Sequence, residues 1–352
     1  MEGKNYRKNP EGDKINGDKK WGRTSIYNTN YGYVLVFSLW TIVIIGFIAL
    51  SFTRNTGIAI KTELAFTERT KNVYAARGAC IYAVKMILTP AKQVETKERN
   101  KKRNRKITRN KKKQGEGQWI PGNEPYSVQI GERNCDVHIS DESGKININK
   151  ITDETRPSFI KFLLALKVEE HVAQIITDSI LDWVDDDDLH HVNGAEKNYY
   201  MSLPEPYEPK NGLFELIEEL TLVKGVTPQI YEMLREHVTV YGAGKINVNF
   251  ASKEVLLYVP DITPEIVDAI IQYRDENGKI EKFKDLKEVF REFGIVGSSF
   301  QEITKYLTVY DSNFLTITAL ASPETSENSF SSYKIIIQKG SGDFNIIAVY
   351  PD

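Results

Sequence analysis

The sequence predicts an α+β fold in which a long N-terminal helix packs on an antiparallel sheet and a large all-helical insertion interrupts the strands. Three observations predict it. An uncharged stretch from Tyr33 to Phe52 continues without a proline into a helical pattern that ends at Pro90. Alternating strand patterns occur at 126–139 and again after residue 306. Helical spacing fills most of the interval from 151 to 304.

Composition excludes several classes of protein. The 352 residues carry a formal net charge of -2, so bulk charge does not indicate nucleic-acid binding. Cys80 and Cys135 are too few for a disulfide framework, although one disulfide stays open in an oxidising compartment. No catalytic triad, glycine-rich phosphate loop or HExxH motif is present in the sequence. These observations argue against an enzyme.

The uncharged stretch predicts one membrane helix. Twenty helical residues span about 30 Å, the thickness of the hydrocarbon core of a bilayer. Residues 1–31 hold seven basic and four acidic side chains, a net of +3. The positive-inside rule therefore predicts a cytoplasmic N-terminus and a C-terminal domain on the other side of the membrane. A secretory signal peptide and a plain signal anchor are alternatives with similar hydropathy.

The helical pattern continues after Phe52 and becomes amphipathic. Its apolar residues recur at three- and four-residue spacing, which predicts a face that packs on a domain. These residues are Ile60, Leu64, Val73, Ala76, Ile81, Val84 and Leu88. A single helix from Tyr33 to Thr89 would be about 85 Å long.

A basic insert follows the helix. Residues 92–113 contain twelve Lys or Arg and two Glu with almost no apolar side chains, so they cannot form a core. We interpret the insert as a solvated loop. The alternative is a basic patch that binds nucleic acid or anionic lipid.

Strand patterns and an internal repeat organise the rest of the chain. Residues 126–139 predict a hairpin that turns around Gly131. The segment GKININ at 144–149 recurs as GKINVN at 244–249, and we interpret each copy as a structural strand that leads into helices. Further strands are predicted at 307–309, 315–320, 333–338 and 345–349, all in the same sheet as the hairpin.

An acidic stretch after the predicted helix 168–184 is the candidate metal site. Carboxylate oxygens at alternating loop positions suit Ca²⁺, which takes six to eight oxygen ligands. The first candidates are Asp185, Asp187 and Glu196, and the second are Asp182 and Asp188. The alternative is that Asp182 braces a helix end while the other acids form a hydrated turn.

The second helical block is similar to the helix-hairpin-helix unit of membrane-anchored DNA receptors. In DNA-binding examples a glycine-rich hairpin lets backbone N–H groups approach phosphate. Here the hairpin reads Pro260-Asp261-Ile262-Thr263, with an acid and no glycine. We therefore expect this block to be a packing module.

The leader, Gly32 and the long helix resemble the type IV pilin and pseudopilin family. That resemblance implies that prepilin peptidase cuts between Gly32 and Tyr33 and that the new amine is methylated. The family usually has Glu at the fifth mature position, where this chain has Phe37. The K-type minor pseudopilin of type II secretion lacks that Glu, and GYVLVFSLW at 32–40 is similar to its start. The segments DWVD at 182–185 and GAEKNYY at 194–200 also resemble that family, although its usual proline after the acidic run is absent.

The resemblance implies a pseudopilin fold with an insertion of two units similar to sterile-alpha-motif or helix-hairpin-helix domains. The expected boundaries are a leader 1–32, a helix 33–90, a basic loop 91–122, first strands 123–150, helical units 151–245 and 246–304, and last strands 305–352.

The implied function is assembly without chemistry, at the tip of the pseudopilus that exports folded proteins. The implied partners are the I- and J-type minor pseudopilins, the major pseudopilin, the secretion platform, the exported proteins and the bacterial inner membrane. No cofactor is required by the resemblance, and calcium is the one candidate. The alternatives are a membrane-anchored DNA receptor and a minor pilin of a system like the type IV pilus.

Overall fold

The computed structural model describes residues 30–89, 118–122, 124–323 and 330–351. The chain divides into two compact units, residues 1–65 and residues 66–352. The predicted leader up to residue 29 and the whole basic insert lie outside the described residues.

Helix α1 runs Asn30–Leu88 and therefore contributes to both units. In the first unit its large apolar side chains from Tyr33 to Phe52 are exposed. Among the described residues this is the one helix that is long and apolar enough to cross a membrane. It is compatible with the predicted membrane span.

The remaining elements all belong to the second unit. The strands are β1 (Tyr126–Ile130), β2 (Arg133–Asp141), β3 (Ile146–Asn147), β4 (Val238–Thr239), β5 (Ile246–Asn247), β6 (Leu307–Thr308), β7 (Phe314–Pro323), β8 (Ser331–Lys339) and β9 (Phe344–Pro351). The helices are α2 (Arg156–Ala165), α3 (Glu170–Val184), α4 (Lys197–Tyr200), α5 (Pro228–Leu234), α6 (Lys253–Leu256), α7 (Pro264–Asn277), α8 (Phe283–Arg291) and α9 (Gly297–Thr304). Short 3₁₀ segments lie at Glu142–Gly144, Ile148–Lys150 and Ile217–Leu222.

Strands β1, β2, β7, β8 and β9 form an antiparallel sheet in that order. Gly131 adopts a φ of +61° in the turn between β1 and β2, a conformation that favours glycine. Strands β2 and β7 pair along their length, with Asp141 opposite Leu315, although the helical insertion separates them in sequence. The predicted fold class is confirmed.

The face that α1 presents to the sheet is built from small side chains. Ala76, Ala79 and Ala83 are fully buried and share a core with the sheet. The predicted apolar stripe was partly wrong, because Ile60, Leu64 and Ile81 are exposed. Small side chains let a helix backbone lie close to a sheet, so Ala79 and Ala83, which the predicted stripe left out, make the contact together with the predicted Ala76.

The strand predicted at 307–309 was also assigned to the wrong sheet. Strand β6 pairs in parallel with β5, and β4 pairs in parallel with β3. Each of these pairs closes one helical unit of the insertion. Both units share a core of their own, which includes Phe159, Leu220 and Phe290.

The two helical units have the same pattern of hydrogen bonds from their repeated asparagines. The Nδ2 atom of Asn147 donates to the carbonyl oxygens of Tyr241 and Gly242, and that of Asn247 donates to Tyr310. The repeated GKIN(I/V)N segments therefore tie the start of each unit to its last strand, which agrees with a structural role for the repeat.

The second asparagine of each copy extends the correspondence. Asn149 bonds both the N–H and the carbonyl oxygen of Phe214, and Asn249 bonds the same two groups of Ile280. Phe214 and Ile280 are thus equivalent positions. The second unit connects α7 to α8 by residues 278–282, whereas the first unit has residues 185–216 at that point. The acidic stretch lies within this longer connection.

Candidate functional site

The acidic loop, residues 185–196, joins the end of α3 to the start of α4. Asp182 lies in the last turn of α3 and is fully buried, and Glu196 is nearly as buried at the position before α4. Asp185 is half-buried, whereas Asp187 and Asp188 are exposed. The site thus has two buried carboxylates at its base and exposed ones above.

Several buried carboxylate oxygens have no hydrogen-bond donor among the described residues. They are Oδ2 of Asp182, Oδ1 of Asp185 and both Oε atoms of Glu196. Buried polar atoms in proteins are nearly always paired, because an unpaired one costs about 1–3 kcal/mol. The donor set therefore fits a cation that would supply the missing interactions.

Ligand atoms of these residues also converge. Oxygens of Asp185, Asp187 and Glu196 lie within 4.8 Å of one another, and so do atoms of Asp182, Asp185 and His191. Asp188 belongs to neither group. The structure therefore brings four of the five predicted acids together and leaves Asp188 outside the cluster.

The electrostatic field at the cluster is strongly negative. Burial, together with the charges of Asp182, Asp185, Asp188 and Asp187, raises the pKa of Glu196 to about 7. Burial and the neighbouring Asp187 likewise raise the pKa of Asp185. A bound cation would reverse both effects, since it favours the ionised carboxylates.

Gly194 is the residue that lets the loop close over Asp182. A Cβ at this position would lie 1.8 Å from Oδ2 of Asp182. The other oxygen, Oδ1, accepts hydrogen bonds from the N–H of His191 at 2.9 Å and pairs with its Nδ1 at 2.5 Å. Asp182 thus braces the loop with Oδ1, while its Oδ2 is buried without a hydrogen-bond donor among the described residues.

A second set of contacts, which we call the loop clamp, holds residues Asn193 and Gly194 from outside. Oδ2 of Asp178 accepts from the N–H and the Nδ2 of Asn193, and Arg156 pairs with both carboxylate oxygens of Asp178. Nζ of Lys224 donates to the carbonyl oxygens of Asn193 at 3.1 Å and Gly194 at 2.9 Å.

Sequence reasoning missed the loop clamp and His191. The spacing of Asp178 and Asp182, four residues apart on α3, was the available signal, because it places both side chains on one helix face. Lys224 precedes the turn glycine Gly225 and gave no such signal.

The residues predicted at the membrane junction lie near the start of α1. Tyr33 and Phe37 are exposed in the first unit, and a Cβ at Gly32 would meet no neighbouring atom. Cleavage at Gly32 therefore stays a prediction. Cys80 and Cys135 are free, buried thiols.

The hairpin of the second helical unit is occupied by internal packing. Ile262 is buried, and its carbonyl oxygen accepts a hydrogen bond from Nζ of Lys161 on α2 at 2.5 Å. Asp261 has a φ of 59°, a conformation that favours glycine, but it carries an acidic side chain. This geometry supports the expected packing role.

Comparisons with known proteins match the two helical units of the insertion to two different family models. A family model described as "Type II secretion system (T2SS), protein K" matches residues 144–243, and one described as "Helix-hairpin-helix motif" matches residues 242–308. These matched ranges meet between β4 and β5.

Three similar curated proteins share the first description. Type II secretion system protein K of Pseudomonas aeruginosa is 29% identical over 46% of this chain and 50% of its own length. The putative protein K of Escherichia coli is 25% identical over 58% and 68%, and that of Aeromonas hydrophila is 32% identical over 36% and 40%. The chain thus matches about half the length of the first relative.

A solved structure shares the fold. A chain in the crystal structure of the GspK-GspI-GspJ complex from enterotoxigenic Escherichia coli is 16% identical, with a TM-score of 0.54. The match covers 84% of this chain and 99% of that chain.

Proposed function

This chain belongs to the type II secretion system protein K family, and from that membership we propose that it acts at the tip of a type II pseudopilus. The observation that carries the proposal is the helical insertion between β2 and β7, which contains the acidic loop within the matched residues 144–243. As a minor pseudopilin it would initiate and cap assembly, and so support the export of folded proteins. The role assigned is assembly, with no chemical reaction.

Phe37 supports the tip position. A subunit within a pseudopilus uses the carboxylate of its fifth mature residue to pair with the N-terminal ammonium of a neighbour, because an unpaired charge in lipid is costly. The exposed ring of Phe37 cannot make that pair. A subunit at the tip has no previously added subunit whose ammonium it must pair with. The tip is therefore the position where the carboxylate can be absent.

The size of the insertion supports the same position. The insertion between Asp141 and Phe314 has its own core, distinct from that between α1 and the sheet. It enlarges the soluble unit well beyond the helix and sheet of a simple pseudopilin. Such bulk would prevent a further subunit from adding above it.

The proposed partners are the I- and J-type minor pseudopilins. The likeness to a chain of the GspK-GspI-GspJ complex supports this choice. The major pseudopilin and the secretion platform would follow as partners of the assembled tip. The proposed location is the bacterial inner membrane, with the domain after residue 54 in the periplasm, as the basic leader predicts.

The proposed ion of the acidic loop is Ca²⁺. Its donors would be carboxylate oxygens of Asp182, Asp185, Asp187 and Glu196, of which the buried oxygens have no described donor. Calcium would neutralise the cluster and fix the exposed half of the loop to the buried half. The ion is thus proposed as structural.

The alternatives receive no support from a specific contact. A DNA receptor would need the hairpin backbone at 260–263, and Lys161 already occupies the carbonyl oxygen of Ile262. No observation favours a minor pilin of another system.

Deletion of the gene, complemented in trans, tests the proposal. Loss of secretion or a change in pseudopilus length is the expected result. Normal secretion combined with loss of DNA uptake would overturn it in favour of a DNA receptor.

A further inference from the structure

A cavity of about 580 Å³ lies between the sheet and the first helical unit. Its floor is the sheet face that points away from α1, where Thr316, Thr318 and Lys334 stand beside Tyr350. Its wall includes Glu218 and Arg235. The volume falls within the usual range of about 300–1,000 Å³ for ligand sites.

Lys334 is an unmatched cation in this cavity. Its ammonium lies 4.6 Å from the ring centroid of Tyr350, and no carboxylate of the described residues lies within 4.0 Å of it. Burial lowers the pKa of Lys334, and the nearby charges of Lys145 and Arg235 lower it further. A half-buried lysine among other cations is unfavourable unless an anion joins it.

The neighbouring acids do not supply that anion. Both oxygens of Glu142 already accept hydrogen bonds, from Lys145, Thr316 and Thr239. Glu236 pairs with Arg235, and its side chain is 74% exposed at the rim of the cavity. Within the described part of the chain, the charge on Lys334 therefore has the ring of Tyr350 beside it but no carboxylate partner.

On the wall of the cavity, Glu218 has a carboxylate oxygen that lacks a hydrogen-bond donor in the described part of the chain. Its Oε2 is buried and has no donor at hydrogen-bond distance among the described residues, although the hydroxyl of Tyr231 lies beside the same carboxylate. Glu218, Lys334 and Tyr350 line the same cavity, and burial together with the charge of Glu218 raises the pKa of Tyr350. The cavity thus lacks one acceptor at its floor and one donor at its wall.

We propose that this cavity binds a short peptide segment that carries an acidic side chain, whose carboxylate pairs with Lys334. A donor on the same segment, either a basic side chain or a backbone amide, would satisfy Oε2 of Glu218. The hydroxyl-lined floor offers further hydrogen bonds to an extended backbone. A small free carboxylate could also pair with Lys334, but it would fill only a small part of the cavity.

The test uses the full chain in detergent micelles and fluorescent versions of two capped peptides, Ac-SESK-NH2 and Ac-SQSK-NH2, with sodium glutamate as competitor. We expect the glutamate-containing peptide to bind about tenfold more tightly than its glutamine counterpart. Lys334→Met should weaken that binding about tenfold, and Lys339→Met on the same strand should leave it unchanged. Free glutamate should compete only at much higher concentration.

Thermal unfolding of the variant separates binding from folding. Because Lys334 has no described acid partner, Lys334→Met should melt at the same temperature as the wild type or a higher one. Unchanged peptide binding by this variant would overturn the proposal, and so would a lower melting temperature that accompanies lost binding. Equal competition by free glutamate would overturn the peptide assignment.

Discussion

Oε1 of Glu142 and Oγ1 of Thr316 lie 2.6 Å apart, and this hydrogen bond joins the start of the helical insertion to strand β7 of the sheet. Oε2 of the same carboxylate accepts from Thr239 on β4 at 2.5 Å, and Lys145 donates to Oε1 at 2.7 Å. One buried carboxylate thus connects the sheet with both ends of the first helical unit. It is the point where the insertion is fixed to the pseudopilin sheet.

Glu142→Gln should lower the free energy of unfolding by about 2–3 kcal/mol, because it removes the charge from three hydrogen bonds in a buried site. Urea unfolding at pH 7 measures the change. Glu281→Gln, at an exposed position, is the matched control and should change the free energy by less than about 0.5 kcal/mol. An unchanged midpoint for Glu142→Gln would contradict the role given to this carboxylate.

The same substitution predicts a pH dependence. Burial alone would raise the pKa of Glu142, but Lys145 and the two threonine hydroxyls outweigh it and hold the pKa below the usual 4.5. The stabilisation is therefore fully present above pH 4.5 and is lost as the pH falls through the lower folded-state pKa. The difference between wild type and Glu142→Gln should be constant from pH 5.5 to 7, in about the range where the unfolded carboxyl is also ionised. A difference that grows on acidification would refute this.

Calcium should raise the melting temperature of the wild type. At a concentration one hundred times Kd, binding to the folded state alone stabilises it by about 2.7 kcal/mol. Asp182→Asn and Glu196→Gln should each remove most of the shift, because each takes an unpaired buried oxygen from the cluster. Asp186→Asn, an exposed acid outside both ligand groups, should keep it. No heat of binding and no thermal shift in millimolar Ca²⁺ would exclude the proposed ion.

Gly194→Ala should lower both thermal stability and calcium affinity. The new Cβ would lie 1.8 Å from Oδ2 of Asp182, so the carboxylate or the loop must move. We expect a loss of about 2 kcal/mol or more, the range of a strained buried contact. Gly212→Ala in the same connection is the control, since its nearest atom is 3.8 Å away. Equal behaviour of the two variants would show that the close approach at Gly194 is unimportant.

Lys224→Met should weaken calcium binding about tenfold without touching the ion, as removal of an outer support of a metal site typically does. The variant loses the hydrogen bonds that fix the carbonyl oxygens of Asn193 and Gly194. Lys287→Met, on the exposed face of α8, is the control. Calcium titration calorimetry measures both, with melting in EDTA to check folding. Wild-type affinity in Lys224→Met would mean that the loop clamp does not position the site.

The parts of the fold that follow from local pattern were predictable from the sequence. The hairpin at Gly131 and the long apolar first half of α1 obey short-range rules of turn chemistry and hydrophobicity. The sheet assignment of residues 307–309 failed, because alternation identifies a strand but does not identify its partner. The packing face of α1 was partly misjudged, because the predicted stripe included Ala76 but left out Ala79, whose small side chain is also buried against the sheet.

The candidate site was predictable to a similar extent. The acids that converge lie within one short segment, so composition and spacing revealed Asp185, Asp187 and Glu196. The supports come from distant parts of the chain, and only folding brings them together: Lys224 before α5 donates to Asn193, and Arg156 on α2 pairs with Asp178, which binds Asn193. The equivalence of Phe214 and Ile280 was hidden for the same reason, since both are defined by the asparagine that binds them.

The central claim, that this chain is a processed minor pseudopilin, is tested most directly by mass spectrometry of the N-terminus of the membrane-extracted protein. The account predicts a mature chain that begins at methylated Tyr33 when the prepilin peptidase is present, and an intact leader when the peptidase gene is deleted. A chain that keeps residues 1–32 in the presence of an active peptidase would contradict the account and leave a plain signal anchor in its place.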